Sequence, residues 1–213
     1  MNTALIQVLG AVAYGELKAY EGAKAAAAEA TDEAERRRLR KVAAEELRHY
    51  KGFVNRLEAM GADPERAMRP FRTALDRYHS ANPRGEVEDA VADYLGEGVA
   101  DDLLQWLRTV VDPETAAFID TVIEDEVEHE GAAAANLRQA LDATPNGRRR
   151  AARGARKMVA HMLWSGRGTA AVPLVAFVRL GRPHQLIGAL VGGHLRRLRA
   201  IGMGPLGLPM PLG

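Results

Sequence analysis

The sequence predicts an all-α protein: a four-helix bundle, with a short crossover helix between the second and third core helices and a basic helical extension behind it. Three observations carry that expectation. Apolar residues recur at steps of three and four along long stretches, the period of a helix with one buried face. The tripeptide Asp-Pro-Glu occurs at Asp63-Pro64-Glu65 and again at Asp112-Pro113-Glu114. An N-cap acid followed by Pro at the first helical position is a strong start signal. Finally, one constellation occurs twice. Glu97, Glu126 and His129 lie 81, 80 and 80 positions after Glu16, Glu46 and His49.

The first helix is expected from about Thr3 to Ala28, with Val12, Glu16 and Tyr20 on one face. Gly15, beside Glu16, is placed to let a neighbouring helix come close. Thr31 is the expected N-cap of the second helix, with Asp32 and Glu33 in a first turn that favours negative charge. That helix runs to about Met60 and ends at Gly61. Its inward stripe is Val42, Glu46, His49, Phe53 and Leu57. Arg36-Arg37-Arg38 faces several directions and reads as solvated surface, with a polyanion as the lesser alternative. One crossover helix is expected from Pro64 to His79, with a break at Asn82-Pro83.

The third core helix spans roughly Glu86 to Val110, with Tyr94, Glu97, Ala100 and Leu104 on one face. Asp101 and Asp102 compete with Glu97 as inward carboxylates; Glu97 is preferred because it fits the repeat. The fourth runs from Pro113 to about Asp142, its stripe being Phe118, Val122, Glu126, His129, Ala133 and Leu137. Glu124, Glu128 and Glu130 fall on other faces and read as solvated. Asp76-x-x-His79 matches the Glu-x-x-His spacing loosely, but no upstream carboxylate repeats around it.

Thr144-Pro145-Asn146-Gly147 is a break, which divides the chain into residues 1–145 and an extension, 146–213. The extension holds 12 Lys and Arg and no Asp or Glu, leaving 17 basic and 28 acidic residues in the body. An acidic body with a basic tail implies different partners for the two parts. Within the tail a basic amphipathic helix is expected from Arg148 to Ser165. Pro173, Gly181 and Pro183 then interrupt the chain before a last helix near Leu186 to Arg199. The Gly/Pro-rich stretch from Gly202 reads as loosely packed. The tail is either free for a partner or folded back as extra helices, and folding back is favoured for at least half of it. His161, His184 and His194 lack carboxylates at ligand spacing and read as surface residues.

The absence of Cys excludes disulfides, iron–sulfur clusters and thiolate zinc sites. The first residues lack the basic start of a signal peptide, and the apolar run Ala170 to Val178 is too short to span a bilayer. A cytoplasmic location is expected.

In each Glu-x-x-His the two side chains share a helix face. Two such pairs, each with a further Glu from another helix, form a dinuclear metal site of the ferritin-like kind. Burying so many charges without a cation would be very costly. Four carboxylates and two imidazoles suit two irons, with manganese as the alternative. Bundle geometry makes Glu16 and Glu97 terminal ligands, has Glu46 and Glu126 bridge, and lets His49 and His129 complete each metal. Positions left open would admit dioxygen. Tyr20, Tyr50 and Tyr94 fall near the site by register.

Tyr14-Gly15-Glu16-Leu17, Glu46-Leu47-Arg48-His49 and Tyr94-Leu95-Gly96-Glu97-Gly98, with the two Asp-Pro-Glu starts, resemble actinobacterial ferritin-like proteins grouped with the tRNA hydroxylase MiaE. The resemblance covers roughly residues 5 to 140 and implies the same six ligands. It also implies a diiron monooxygenase that hydroxylates the isopentenyl group of a methylthio-isopentenyl-adenosine in tRNA. The partners this activity implies are tRNA and an electron donor of ferredoxin or reductase type; a homodimer is a separate expectation. The basic tail has no counterpart in that resemblance. Two other functions compete. One is a ferritin-like metal oxidase or iron store; the other is an adaptor without catalysis whose basic tail meets RNA or anionic lipid.

Overall fold

The computed structural model describes residues 3–80, 85–165 and 171–204. Among these residues every long element is a helix: α1 (Thr3–Glu29), α2 (Glu33–Ala59), α3 (Pro64–Met68), α4 (Arg72–His79), α5 (Glu86–Arg108), α6 (Pro113–Ala143), α7 (Gly147–Ser165), α8 (Ala171–Leu180) and α9 (Pro183–Ala200). They fall into two compact units. One holds α1 to α4 with α8; the other holds α5, α6, α9 and α7 as far as Trp164.

The starts follow the sequence closely. Asp63 and Asp112 accept hydrogen bonds from the backbone N–H groups of Arg66 and Thr115 at 3.3 and 2.9 Å. Each of these caps satisfies one of the donors a helix N-terminus leaves without a partner. The second helix is capped by Asp32 rather than Thr31: its carboxylate accepts from the Glu35 N–H at 2.8 Å. Gly61 ends the α2 turn with φ +69°, a conformation that suits a residue without a Cβ.

The expected crossover helix is two helices. Pro70 lies in the turn between α3 and α4, where its missing N–H and its ring are incompatible with a helix interior. In α8, Pro173 lies in the first turn, so the helix continues past the expected interruption; first-turn N–H groups have no helical partner to lose. The Asn82-Pro83 break and the stretch from residue 205 onward lie outside the described residues.

In the first unit α1 and α2 pack along each other, burying Leu9, Ala13, Phe53 and Leu57. Gly10 lets α3 come close: a Cβ there would sit 2.5 Å from the Ala67 carbonyl oxygen. The Tyr14 hydroxyl donates to Asp76 at 2.7 Å, tying α4 to α1. A Cβ on Gly15, by contrast, would meet nothing within 4 Å among the described residues. The expected close packing is at Gly10. Arg36 and Arg38 pair with Glu33 and Glu35 of their own helix, as expected of a solvated face.

The core of the second unit gathers Val91, Leu95, Leu137, Met158 and Leu198 with the small residues Ala151 and Ala155. The tail therefore folds back: α7 and α9 supply part of this core, and in the first unit α8 packs on α1. Arg150 of α7 donates to both oxygens of the buried Glu88 on α5, at 2.7 to 3.1 Å.

Candidate metal centre

Helix packing places the first half of the duplicated constellation at the α1–α2 contact. Glu16 and Glu46 are 8 % and 3 % exposed and His49 is 1 % exposed. His49 Nδ1 lies 3.4 Å from Glu16 Oε2 and 3.6 Å from Glu46 Oε2. One ligand atom from each of the three lies within 4.8 Å of the others. The second unit repeats the arrangement on α5 and α6. Glu126 and His129 are buried, Glu97 is half-buried, and their ligand atoms again lie within 4.8 Å of one another. His129 Nδ1 is 3.6 Å from Glu126 Oε1.

Atoms that share one cation at bonds of about 2.1 Å lie roughly 3 to 4 Å apart. The donor spacings in both triads have that scale, so the residues present fit a metal. Two carboxylates and an imidazole form a hard-to-borderline donor set, without a soft sulfur.

The other expected neighbours of the site have different roles. Val42 and Tyr20 are half-buried, and the Lys24 ammonium lies 5.4 Å from the centre of the Tyr20 ring. Tyr50 is half-buried as well. Tyr94 belongs to the apolar cluster of the second unit, where burial, reinforced by the nearby Glu130 charge, raises its phenol pKa. Ala100, assigned to the inward face, is exposed.

Asp102 is spoken for by Arg197, whose Nη1 donates to its Oδ2 at 2.7 Å; Arg196 reaches the other oxygen at 3.3 Å. Asp101 lies 3.6 Å from the same Arg197 guanidinium. Glu130, expected to be solvated, accepts from Arg197 Nε and Nη2 at 3.1 and 2.8 Å. Arg197 is 5 % exposed. Burial alone would lower its pKa; its hydrogen bonds to Glu130 and Asp102, with their charges, outweigh that and raise it. Asp101 and Glu130 stand one helical turn beyond Glu97 and Glu126, so this buried ion network abuts the second triad. Glycines make room for it. A Cβ on Gly98 would fall 1.8 Å from Arg197 Nε, and one on Gly193 would fall 1.8 Å from Asp102 Oδ2.

Long helices that bring two carboxylates and a histidine together, in two copies, make a helical protein whose donor sets fit hard or borderline cations. The chain belongs to the family described as "Ferritin-like domain, actinomycetes", whose model matches residues 1–171. Its fold is accordingly all-α and ferritin-like. Among solved structures it is similar to a Synechococcus protein described as having aldehyde deformylating oxidase activity. That match has a TM-score of 0.75 at 20 % identity and covers 97 % of this chain and 93 % of the other. No curated protein matches the sequence. Among the described residues no helix is long and apolar enough to cross a membrane.

Proposed function

We propose that the two triads are the halves of one dinuclear iron centre and that the protein is a dioxygen-dependent oxidoreductase. The observation that carries the reading is the repetition of Glu, Glu and His with ligand-scale spacing in both units, all buried except the half-buried Glu97. Family membership supports it, since a dinuclear carboxylate site is the characteristic use of this bundle. Glu16, Glu46, His49, Glu97, Glu126 and His129 are the residues that would hold the metal pair. Iron held there supplies the electron transfers through which dioxygen is reduced.

The chain's own part is to bind, to orient and to exclude water. Four carboxylates offset the charge of two divalent ions, which favours their retention in a buried site. Phe53 and Val122, each fully buried and one helical turn from a ligand residue on its own helix, add apolar surroundings to the triads. Manganese is the alternative metal.

The finer reading is a hydroxylase of the MiaE kind acting on a modified tRNA nucleoside. Inserting one oxygen atom into a C–H bond reduces the other to water, so two electrons and two protons must be supplied. An external donor of ferredoxin or reductase class provides the electrons. The support is the motif resemblance around Glu16, Glu46-x-x-His49 and Glu97. A second reading, a metal-oxidising or storing protein, needs no organic substrate.

The first experiment loads the protein anaerobically with ferrous iron and counts iron per chain beside Glu126→Ala and His129→Ala variants. About two irons, lost in both variants, is the expected result. No specific iron would remove the enzymatic reading altogether. Reduced protein with dioxygen and hypomodified tRNA then separates the two readings: hydroxylated nucleoside supports the first, and iron oxidation alone supports the second.

A further inference from the structure

The outward faces of the tail helices are unusual. A surface helix buries one apolar stripe and turns polar residues to water. On α9 the inward stripe is Leu186, Gly193, Arg197 and Leu198. Roughly 100° round the helix from Leu186 the surface is apolar as well: Ile187 and Val191, one turn apart, are 61 % and 53 % exposed. A Cβ on Gly188, between them, would meet nothing within 4 Å among the described residues. On α7, Trp164 is 52 % exposed, at the end of the face that carries Arg149, Arg153, Arg156 and Lys157. In the other unit α8 exposes Val175 and Val178 beside Arg179. Apart from Val127, every exposed large apolar side chain among the described residues lies on α7, α8 or α9.

The same helices supply the charge asymmetry. The chain from Asn146 onward has 12 basic and no acidic residues. Arg150 and Arg197 are committed to buried carboxylates, while Arg149, Arg153, Arg156, Lys157, Arg182 and Arg199 are exposed. A surface that is both cationic and aliphatic complements a phase that is anionic outside and apolar a few ångströms beneath. A nucleic acid would match the cations. It would not match Ile187, Val191, Val175 or Val178, because stacking on bases requires aromatic rings.

From this we infer that the second unit, through α7 and α9, docks peripherally on an anionic lipid bilayer. The arginines meet the headgroups, and Ile187, Val191 and Trp164 enter the interface. This goes beyond the oxidoreductase reading and does not depend on it.

The test is co-sedimentation of the full chain with phosphatidylcholine vesicles, with and without about one-third phosphatidylglycerol. The expected result is binding only to the anionic vesicles, weakened by high salt. An Ile187→Ser, Val191→Ser variant should bind about tenfold more weakly while keeping its helical circular dichroism. Both side chains are exposed, so the fold does not depend on them. Failure to sediment with anionic vesicles overturns the inference. Equal binding to neutral vesicles, or binding that the double serine variant leaves unchanged, does so too. If that variant instead converts a dimer to a monomer and wild type ignores vesicles, the face is an interface between copies. Tight RNA binding that is indifferent to both serines, without vesicle binding, assigns the tail to nucleic acid instead.

Discussion

Replacing Arg197 with Met keeps most of the side chain's volume and removes its charge. The guanidinium is the hub for Asp102 and Glu130, with Asp101 at 3.6 Å. The Asp102 side chain is 5 % exposed, so the substitution strands a carboxylate that water reaches poorly. Removing one partner of a buried pair costs about 3 to 5 kcal/mol. The Glu130 side chain is 26 % exposed and recovers part of its hydration, and Arg196 still touches Asp102, which places the expectation near 3 kcal/mol, at the bottom of that range. For a chain of this size that is a fall in Tm of roughly 6 to 12 °C. The assay is urea and thermal unfolding of the metal-free protein, followed by circular dichroism. Pairing Arg197→Met with Asp102→Asn should restore part of the loss, since the stranded charge is gone. A loss below about 1 kcal/mol, the ceiling for an exposed ion pair, would refute the claim that the network is buried and structural.

Other perturbations test neighbouring claims. Glu88 has its pKa lowered, chiefly by hydrogen bonding from Arg150. Its contribution is therefore present above the ordinary Glu range and lost as pH falls through the depressed value; Glu88→Gln should flatten that acid limb in unfolding curves measured across pH. Gly10→Ala forces a Cβ against the Ala67 carbonyl, and should cost about 1 to 3 kcal/mol by denaturation despite alanine's better helix propensity. Asp112→Ala removes the cap on α6 and should lower stability by about 1 kcal/mol, read from the shift in urea midpoint. Phe53→Ala opens a cavity beside the first triad and should cost about 3 to 5 kcal/mol by the same assay.

The features legible in the sequence were those written locally. Helix starts at Asp63 and Asp112, the break after Ala143, and the inward placement of Glu16, Glu46, His49, Glu126 and His129 all follow from spacing and cap chemistry. The cap at Asp32 rather than Thr31 is a choice between adjacent good acceptors, which sequence alone decides poorly. The division of the crossover was legible in principle, since Pro70 cannot sit inside a helix. Asp102 and Glu130 were not legible. Both look like solvated or competing acids until Arg197, 95 and 67 residues away, is brought against them. Periodicity reports which face a residue occupies, and it does not report what a distant segment will place there. The glycines follow the same logic: Gly15, expected to admit a neighbouring helix, is open, while Gly98 and Gly193, which carry no local signal, clear the space for the ion network.

That network also sets an order of assembly. Glu16, Glu46 and His49 lie on two consecutive helices that precede α5, α6 and α9, so their triad can form before the second one is synthesised. The second triad is next to carboxylates that await Arg197, close to the end of the last described helix. Until that residue leaves the ribosome, Asp102 and Glu130 repel each other across an incomplete core. The two halves of the repeat are alike in chemistry but mature at different times. A chain that stopped before α9 would hold the residues of both triads but lack the guanidinium that neutralises Asp102 and Glu130 beside the second.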